Sequence, residues 1–280
     1  MPASPLVAFI HSPHTSCPLV KMFRRAWEEA QDRSIREREG VQTPDEHNGS
    51  DPLSRIYQLL PGGLAGRILS VNVDYVSRTR EVWIRVSGAP AYLETFEHVM
   101  RTEGGVAYQK VFGNKFNIIY RIVFSLEKCP NDPAFVCLHL RTPPGIMIKS
   151  SIIHPKGILY EVIAAKPKIL NDLKRMGFKV ILAHEINGYD YMLTYKQELI
   201  LIYAYLAGYY RFPRSISLKA LAGELGLSVS TLAELLRKAE SKVIEAFIRH
   251  EMPHYLVSML LNRSEYKERL AKLVPAARST

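Results

Sequence analysis

The sequence predicts an α+β protein. A ferredoxin-like or ACT-like domain, either duplicated or built as one composite sheet, precedes an all-α helix-turn-helix domain. Three observations lead there. Two stretches, 67–126 and 145–186, each carry paired strand patterns around a single helical pattern. Beyond Leu193 the apolar residues stop alternating and recur at steps of three and four. Between Leu193 and Ile248 lie three helical patterns, each with its own start or stop signal.

The first 63 residues read as a poorly ordered or helical extension. MPASPLVAFIHSPHTSCP is rich in proline and reads as a tail, VKMFRRAWEEAQDRSIREREG suits a charged helix, and VQTPDEHNGSDP reads as a polar linker. His11, His14 and Cys17 stand at three-residue steps, a spacing that a metal could use. Pro13 and Pro18 break any helix there and no second Cys/His pair follows, so no metal is expected.

The α+β domain is expected over 64–189. Leu69, Val71, Val73 and Tyr75 alternate, as do Val82, Ile84 and Val86, giving two strands. Ala89 to Glu103 places Tyr92, Leu93, Phe96, Val99 and Met100 on one helical face, closed by Gly104-Gly105. Val106–Phe112 and Lys115–Leu126 follow as strands across a two-residue Gly113-Asn114 turn. The pattern then returns: strands at Gly145–Ile153 and Gly157–Ala165, a helix at Pro167–Met176 closed by Gly177, and a strand at Phe178–Ile186.

The helix-turn-helix domain is expected over 190–250. Thr194-Tyr195-Lys196-Gln197 has capping-box spacing and opens an apolar run through Leu199, Ile202, Tyr203 and Leu206 that Gly208 can end. Ser217 caps a short helix with Leu218, Leu221, Ala222 and Leu225 on one side. Gly226 makes the turn, and Ser228 caps a third helix seamed by Leu232, Leu236, Ala239, Val243 and Phe247. Opposite that seam stand Ser230, Glu234, Arg237 and Ser241, flanked by Thr231 and Lys238. Hydroxyls, a carboxylate and basic groups on one face can meet base edges and phosphates in a major groove. Ser228, Ser230, Thr231, Glu234, Arg237, Lys238 and Lys242 are therefore the candidate DNA-binding residues. The plainer reading of the same face is the solvated side of a helical bundle.

At these residues the chain resembles the helix-turn-helix domain of the bacterio-opsin activator family of archaeal transcription regulators. The resemblance rests on the leading helix running into Ala207-Gly208-Tyr209-Tyr210, then Pro213-Arg214, the Leu221-Ala222-x-x-Leu225-Gly226 turn and Leu236-Arg237-x-Ala239-Glu240. It runs from Leu193 to Phe247 without a gap. It implies double-stranded DNA as the partner, transcription regulation as the role, and an α+β domain directly before the helices. Val229 stands where related sequences often carry a basic or larger polar residue, so base preference does not transfer.

Composition agrees with a nucleic-acid partner. The 280 residues carry a formal charge of +10, with a pI near 9.4. Much of that excess lies outside the helix-turn-helix: Gly105 to His184 holds twelve Lys/Arg against four Asp/Glu. With Tyr108, Phe112, Phe116 and Tyr120 nearby, this basic sheet keeps open an RNA-binding or nucleic-acid-scaffolding alternative, although no RNP1 pattern is present. A third reading is a ligand-responsive regulator acting on a protein partner. No Gly-rich phosphate loop, zinc-protease helix or nucleophile elbow occurs, so the chain is expected not to be an enzyme and to need no cofactor. Three cysteines form no disulfide framework, and neither a signal pattern nor a membrane-length apolar run is seen. These features lead to the expectation of a cytoplasmic protein. A helix pattern at 251–280 (Leu256, Met259, Leu260, Tyr266, Leu270, Leu273) and the single half-site reach of one helix-turn-helix suggest a homodimer, with a small-molecule effector for the α+β domain.

Overall fold

The computed structural model describes residues 5–13, 16–40, 64–129, 137–185 and 193–251, with side chains described up to residue 32 in the first helix and 248 in the last. These residues fall into two compact units that divide between His184 and Glu185. His14, the 41–52 linker and the helix pattern expected after Glu251 lie outside the described residues.

The first unit runs β1 (Leu6–Ser12), α1 (Pro18–Gly40), β2 (Leu64–Asp74), β3 (Thr79–Gly88), α2 (Pro90–Thr102), β4 (Val106–Gly113) and β5 (Asn117–Ser125). It continues with β6 (Ile146–His154), β7 (Gly157–Ala164), α3 (Pro167–Arg175) and β8 (Lys179–Glu185). All eight strands join one sheet, ordered β4-β5-β3-β2-β6-β7-β1-β8. Strands β1, β6, β7 and β8 with α1 and α3 have the β-α-β-β-α-β order of a ferredoxin-like unit, and their spatial order β6-β7-β1-β8 matches it. The β2-β3-α2-β4-β5 segment is inserted between α1 and β6, and extends the same sheet. Its attachment is narrow: Gly66 and Arg67 of β2 pair antiparallel with Ile153 and Ile152 of β6. The sheet is therefore composite rather than two packed halves.

The Pro-rich start, read above as a tail, instead supplies an interior strand. Every residue of β1 is buried, and the strand pairs with β7 from Leu6↔Ala164 to Ser12↔Ile158. A strand covered on both faces needs no alternation, so LVAFIH reads as a continuous apolar run and its proline flanks mask it. The charged helix expected next is α1. It buries Leu19, Val20, Met22, Phe23, Ala26 and Ala30 against the sheet. Phe23 comes so close to β2 that a Cβ at Gly66 would lie 2.4 Å from its ring. Phe23, Phe96 and Tyr120 then pack in sequence, tilted and edge-on, with ring centroids 4.7 and 5.9 Å apart.

Two local expectations change. A bulge at Leu69, between Ile68 and Ser70, turns that side chain outward and buries Ile68 instead. The β4–β5 turn is wider than two residues: Gly113 pairs with Ile118, and the Asn114 side chain accepts from the Phe116 and Asn117 N–H groups at 2.9 Å. On β3 the alternation holds, with Val82, Ile84 and Val86 fully buried.

Burial lowers three histidines in this unit: His11 and His154 are buried and His139 is half-buried. Burial, aided by His11 and Lys156, pushes His154 down to about 3. Burial and then the Arg80 charge push His139 down to about 4. Unfolded, both titrate near 6.5. Below that pH the unfolded chain takes up protons that the native state refuses, so their stabilising contribution is complete above pH 6.5 and falls as pH drops through the native values. Between pH 6.5 and 4.5 urea unfolding should lose up to about 1.4 kcal/mol per pH unit for each histidine. His154→Gln should flatten that slope by about one histidine's worth. An unchanged slope would show that His154 is accessible to protons in the native state.

Candidate nucleic-acid interface

The second unit has three described helices: α4 (Tyr195–Leu206), α5 (Leu218–Glu224) and α6 (Val229–Glu251). Each begins on the residue expected to cap it. Thr194 Oγ1 accepts from the Gln197 N–H at 3.3 Å while Gln197 Oε1 accepts from the Thr194 N–H at 3.0 Å, which closes the capping box. Ser217 Oγ accepts from the Ala220 N–H at 3.1 Å, and Ser228 Oγ from the Thr231 N–H at 3.0 Å.

The helix ends are equally defined. After α4 the Tyr209 N–H reaches Ala204 O and the Gly208 N–H reaches Tyr205 O. After α5 the Leu227 N–H reaches Ala222 O and the Gly226 N–H reaches Gly223 O. Both are Schellman closures, which require a left-handed residue; Gly226 supplies it with φ of +62°. That closure sets the turn between α5 and α6.

Ile200 and Ala204 of α4, Leu221 and Ala222 of α5, and Leu232 and Leu236 of α6 form the core of this unit. Expected and observed faces differ on α4. Leu199, Ile202 and Leu206 are exposed, whereas Gln197, Ile200 and Ala204 face inward. The run ELILIYAYL is apolar around most of its circumference, so spacing alone does not select a side; small Ala204 allows the close helix approach that does. On α6 the seam buries Leu232, Leu236 and Ala239, but Val243 and Phe247 continue it into solvent. Polar pegs hold the frame: Tyr203 donates to Glu224 at 2.8 Å, Tyr210 donates to Glu240 at 2.5 Å, and Arg214 lies over the Tyr209 ring at 4.7 Å.

The candidate residues separate into three groups. Ser228, Ser230 and Thr231 form a hydroxyl cluster at the α6 N-terminus, with Ser228 Oγ 2.9 Å from Ser230 Oγ and 2.8 Å from Thr231 Oγ1. Glu234, Arg237 and Lys238 follow on the exposed side one and two turns on. Glu234 pairs with Lys238 at 2.5 Å, and the hydrogen bond and charge of Lys238 hold its carboxyl below the usual range. Arg237 has no ion pair among the described residues. Lys242 stands apart: it is half-buried and donates to Gln197 Oε1 at 3.3 Å, tying α6 to the capping box of α4. Spacing could not reveal this, because the partner lies on another helix. Arg211, in the turn after α4, and Lys219, in the first turn of α5, lie outside the candidate set and are both exposed.

Residues 193–245 match the family model described as a helix-turn-helix DNA-binding domain, of the bacterio-opsin activator type. The match spans 53 of the 280 residues. No curated protein and no solved structure matches the chain. The helix-turn-helix family match points to a DNA-binding transcription regulator. Among the described residues no helix is long and apolar enough to cross a membrane.

Two glycines near the turn should respond oppositely to the same substitution. Gly226 has open space around a built Cβ but a left-handed backbone, so Gly226→Ala should cost about 1–2 kcal/mol from strain alone. Gly223 is helical and equally open, so Gly223→Ala should stabilise by about 0.5–1 kcal/mol. Thermal melts of the two variants test this; a shift of the same sign in both would contradict the closure described.

Proposed function

We propose that the chain is a sequence-specific regulator that reads duplex DNA through the N-terminal half of α6, with the first unit as its sensory or assembly domain. One observation carries the reading. Ser230, Thr231, Glu234, Arg237 and Lys238 are exposed on the side of α6 opposite Leu232, Leu236 and Ala239, in a segment that matches a DNA-binding family. The buried side fixes the helix, and the free side carries the groups suited to a major groove.

Selection of duplexes from a random pool should enrich a defined site. Against it, Ser230→Ala, Thr231→Ala and Glu234→Ala combined should reduce binding by about 1–3 kcal/mol for each side chain that meets a base edge. Folding should be unaffected, since none of the three reaches the core. Equal discrimination between selected and scrambled duplexes before and after the substitutions would refute base reading by this face. Arg237→Ala should weaken every duplex alike and reduce the salt-dependence slope by about one unit. Lys242→Ala should instead lower the melting temperature and leave the slope alone, because its ammonium serves Gln197.

A homodimer is the assembly we assign, since one helix-turn-helix covers a single half-site. The open β4 edge, exposed along most of its length, favours pairing through the first unit. A fragment covering 190–280 should then bind duplex DNA weakly and lose much of its affinity for a two-half-site operator. If the fragment sediments as a dimer with full operator affinity, assembly belongs to the exposed α4 and α6 side chains Ile202, Leu206, Ile244 and Phe247 instead. A small-molecule effector remains part of the proposal for the first unit. The RNA alternative has weaker support, because Tyr120 of the aromatic set is fully buried and hydrogen-bonded to Glu97. Single-stranded RNA outcompeting the selected duplex would reverse that preference.

A further inference from the structure

All three cysteines of the chain, Cys17 distant in sequence from Cys129 and Cys137, gather around one buried cation. Arg80 stands on β3 in line with Val82, Ile84 and Val86, facing the helix-covered side of the sheet, and is 2% exposed. Its Nη1 lies 3.8 Å from Cys129 Sγ and its Nη2 lies 3.6 Å from Cys137 Sγ. The Phe124 ring sits 5.9 Å from the guanidinium carbon. Burial acts on Arg80 first, then the Cys137, Cys17 and Cys129 thiols, and among the described residues it has no ion pair with a carboxylate. A guanidinium removed from water needs negative partners. The fold answers with thiols.

The three sulfurs are not equivalent. Cys17 is buried, and burial raises its thiol to about 11, which leaves it unreactive. Cys137 is buried as well, near the fully buried Tyr160 phenol, which burial holds well above its ordinary range. Cys129 is half-exposed, directly after a 3-10 turn at Leu126–Lys128. It is the sulfur that a small solute can reach. A cation at the centre of the cluster works against a bound metal ion, and no metal-holding group of His, Cys, Asp or Glu occurs among the described residues. Oxidation of a thiol by peroxide proceeds through its thiolate form.

We propose that Cys129 and Cys137 form a peroxide-oxidised dithiol, with Arg80 as the positioning residue that holds both sulfurs. The Cys129 thiolate attacks one oxygen of hydrogen peroxide. The O–O bond breaks, hydroxide leaves, and the sulfur becomes a sulfenic acid. The Cys137 thiolate then attacks that sulfur; the S–S bond forms, the S–O bond breaks and a second hydroxide leaves. The two thiol protons convert both hydroxides to water. Peroxide has accepted two electrons and the pair of thiols has lost them. Adjacent nitrogens of one planar group hold the two sulfurs, which places both thiols beside the same side chain.

The test uses the full chain, reduced and then exposed to hydrogen peroxide, with free thiols counted by alkylation and bridges located by peptide mapping. The expected result is a fall from three free thiols to one and a Cys129–Cys137 bridge within one chain, reversed by dithiothreitol. Cys17→Ser should leave the bridge intact, whereas Cys137→Ser should stop at a Cys129 sulfenic acid that dimedone traps. A synthetic peptide of residues 127–139 has both thiols but no Arg80 to hold them together, and should close the bridge at least about tenfold more slowly. Arg80→Lys, which keeps the charge but not the fork, should fall between the two. Three free thiols after treatment, a bridge to Cys17, or a peptide that reacts as fast as the protein would each overturn the proposal.

Discussion

The first unit depends on the placement of β1 between β7 and β8. Leu6–Ser12 closes the ferredoxin-like half of the sheet, and without it β8 has no neighbour on that side. The strand also sets the start of α1, whose Phe23 presses on Gly66 and orients the β2-to-β5 insertion. One short apolar segment thus joins a complete α+β core to an extension held to it by few pairings. Both faces of β1 are buried, so a polar substitution anywhere along it leaves a group without water.

The DNA-binding unit is organised differently. Its core is small, and its precision comes from the helix ends. The Thr194 box, the Ser217 and Ser228 caps and two Schellman closures satisfy terminal backbone groups and fix where each helix starts and stops. Gln197 serves twice, once as capping partner and once as acceptor for Lys242, so α4 and α6 share a polar contact. The hydroxyl cluster at the front of α6 then presents its exposed groups from a rigid base.

How much of this could be read from residues alone follows from the range of each interaction. Caps, glycine stops and the alternation of Val82, Ile84 and Val86 are local, and the sequence displays them. So is the helix-turn-helix order. What residues alone do not show depends on distant partners. Leu6–Ser12 has strand chemistry, but only β7 and β8 make it interior. The α4 run is apolar on most sides, and its buried edge is chosen by α5 and α6. Lys242 has the spacing of a phosphate contact, but Gln197 stands beside it. The cysteines show no pattern in spacing, because Arg80, a residue of β3, is what brings them together.

The position of β1 in the chain also shapes how the protein is made. Its pairing partner β7 begins at Gly157, so β1 leaves the ribosome long before it can pair. The β2-β3 and β4-β5 hairpins, by contrast, find their partners within a few residues and can form while synthesis continues. The nascent chain therefore carries an unpaired apolar segment across most of the first unit's synthesis, a state in which chaperones and neighbouring chains compete for it. Closure comes only as β8 emerges at Lys179–Glu185, ahead of the segment that matches the helix-turn-helix family. The order of translation thus delivers the α+β unit complete before its DNA-binding partner exists.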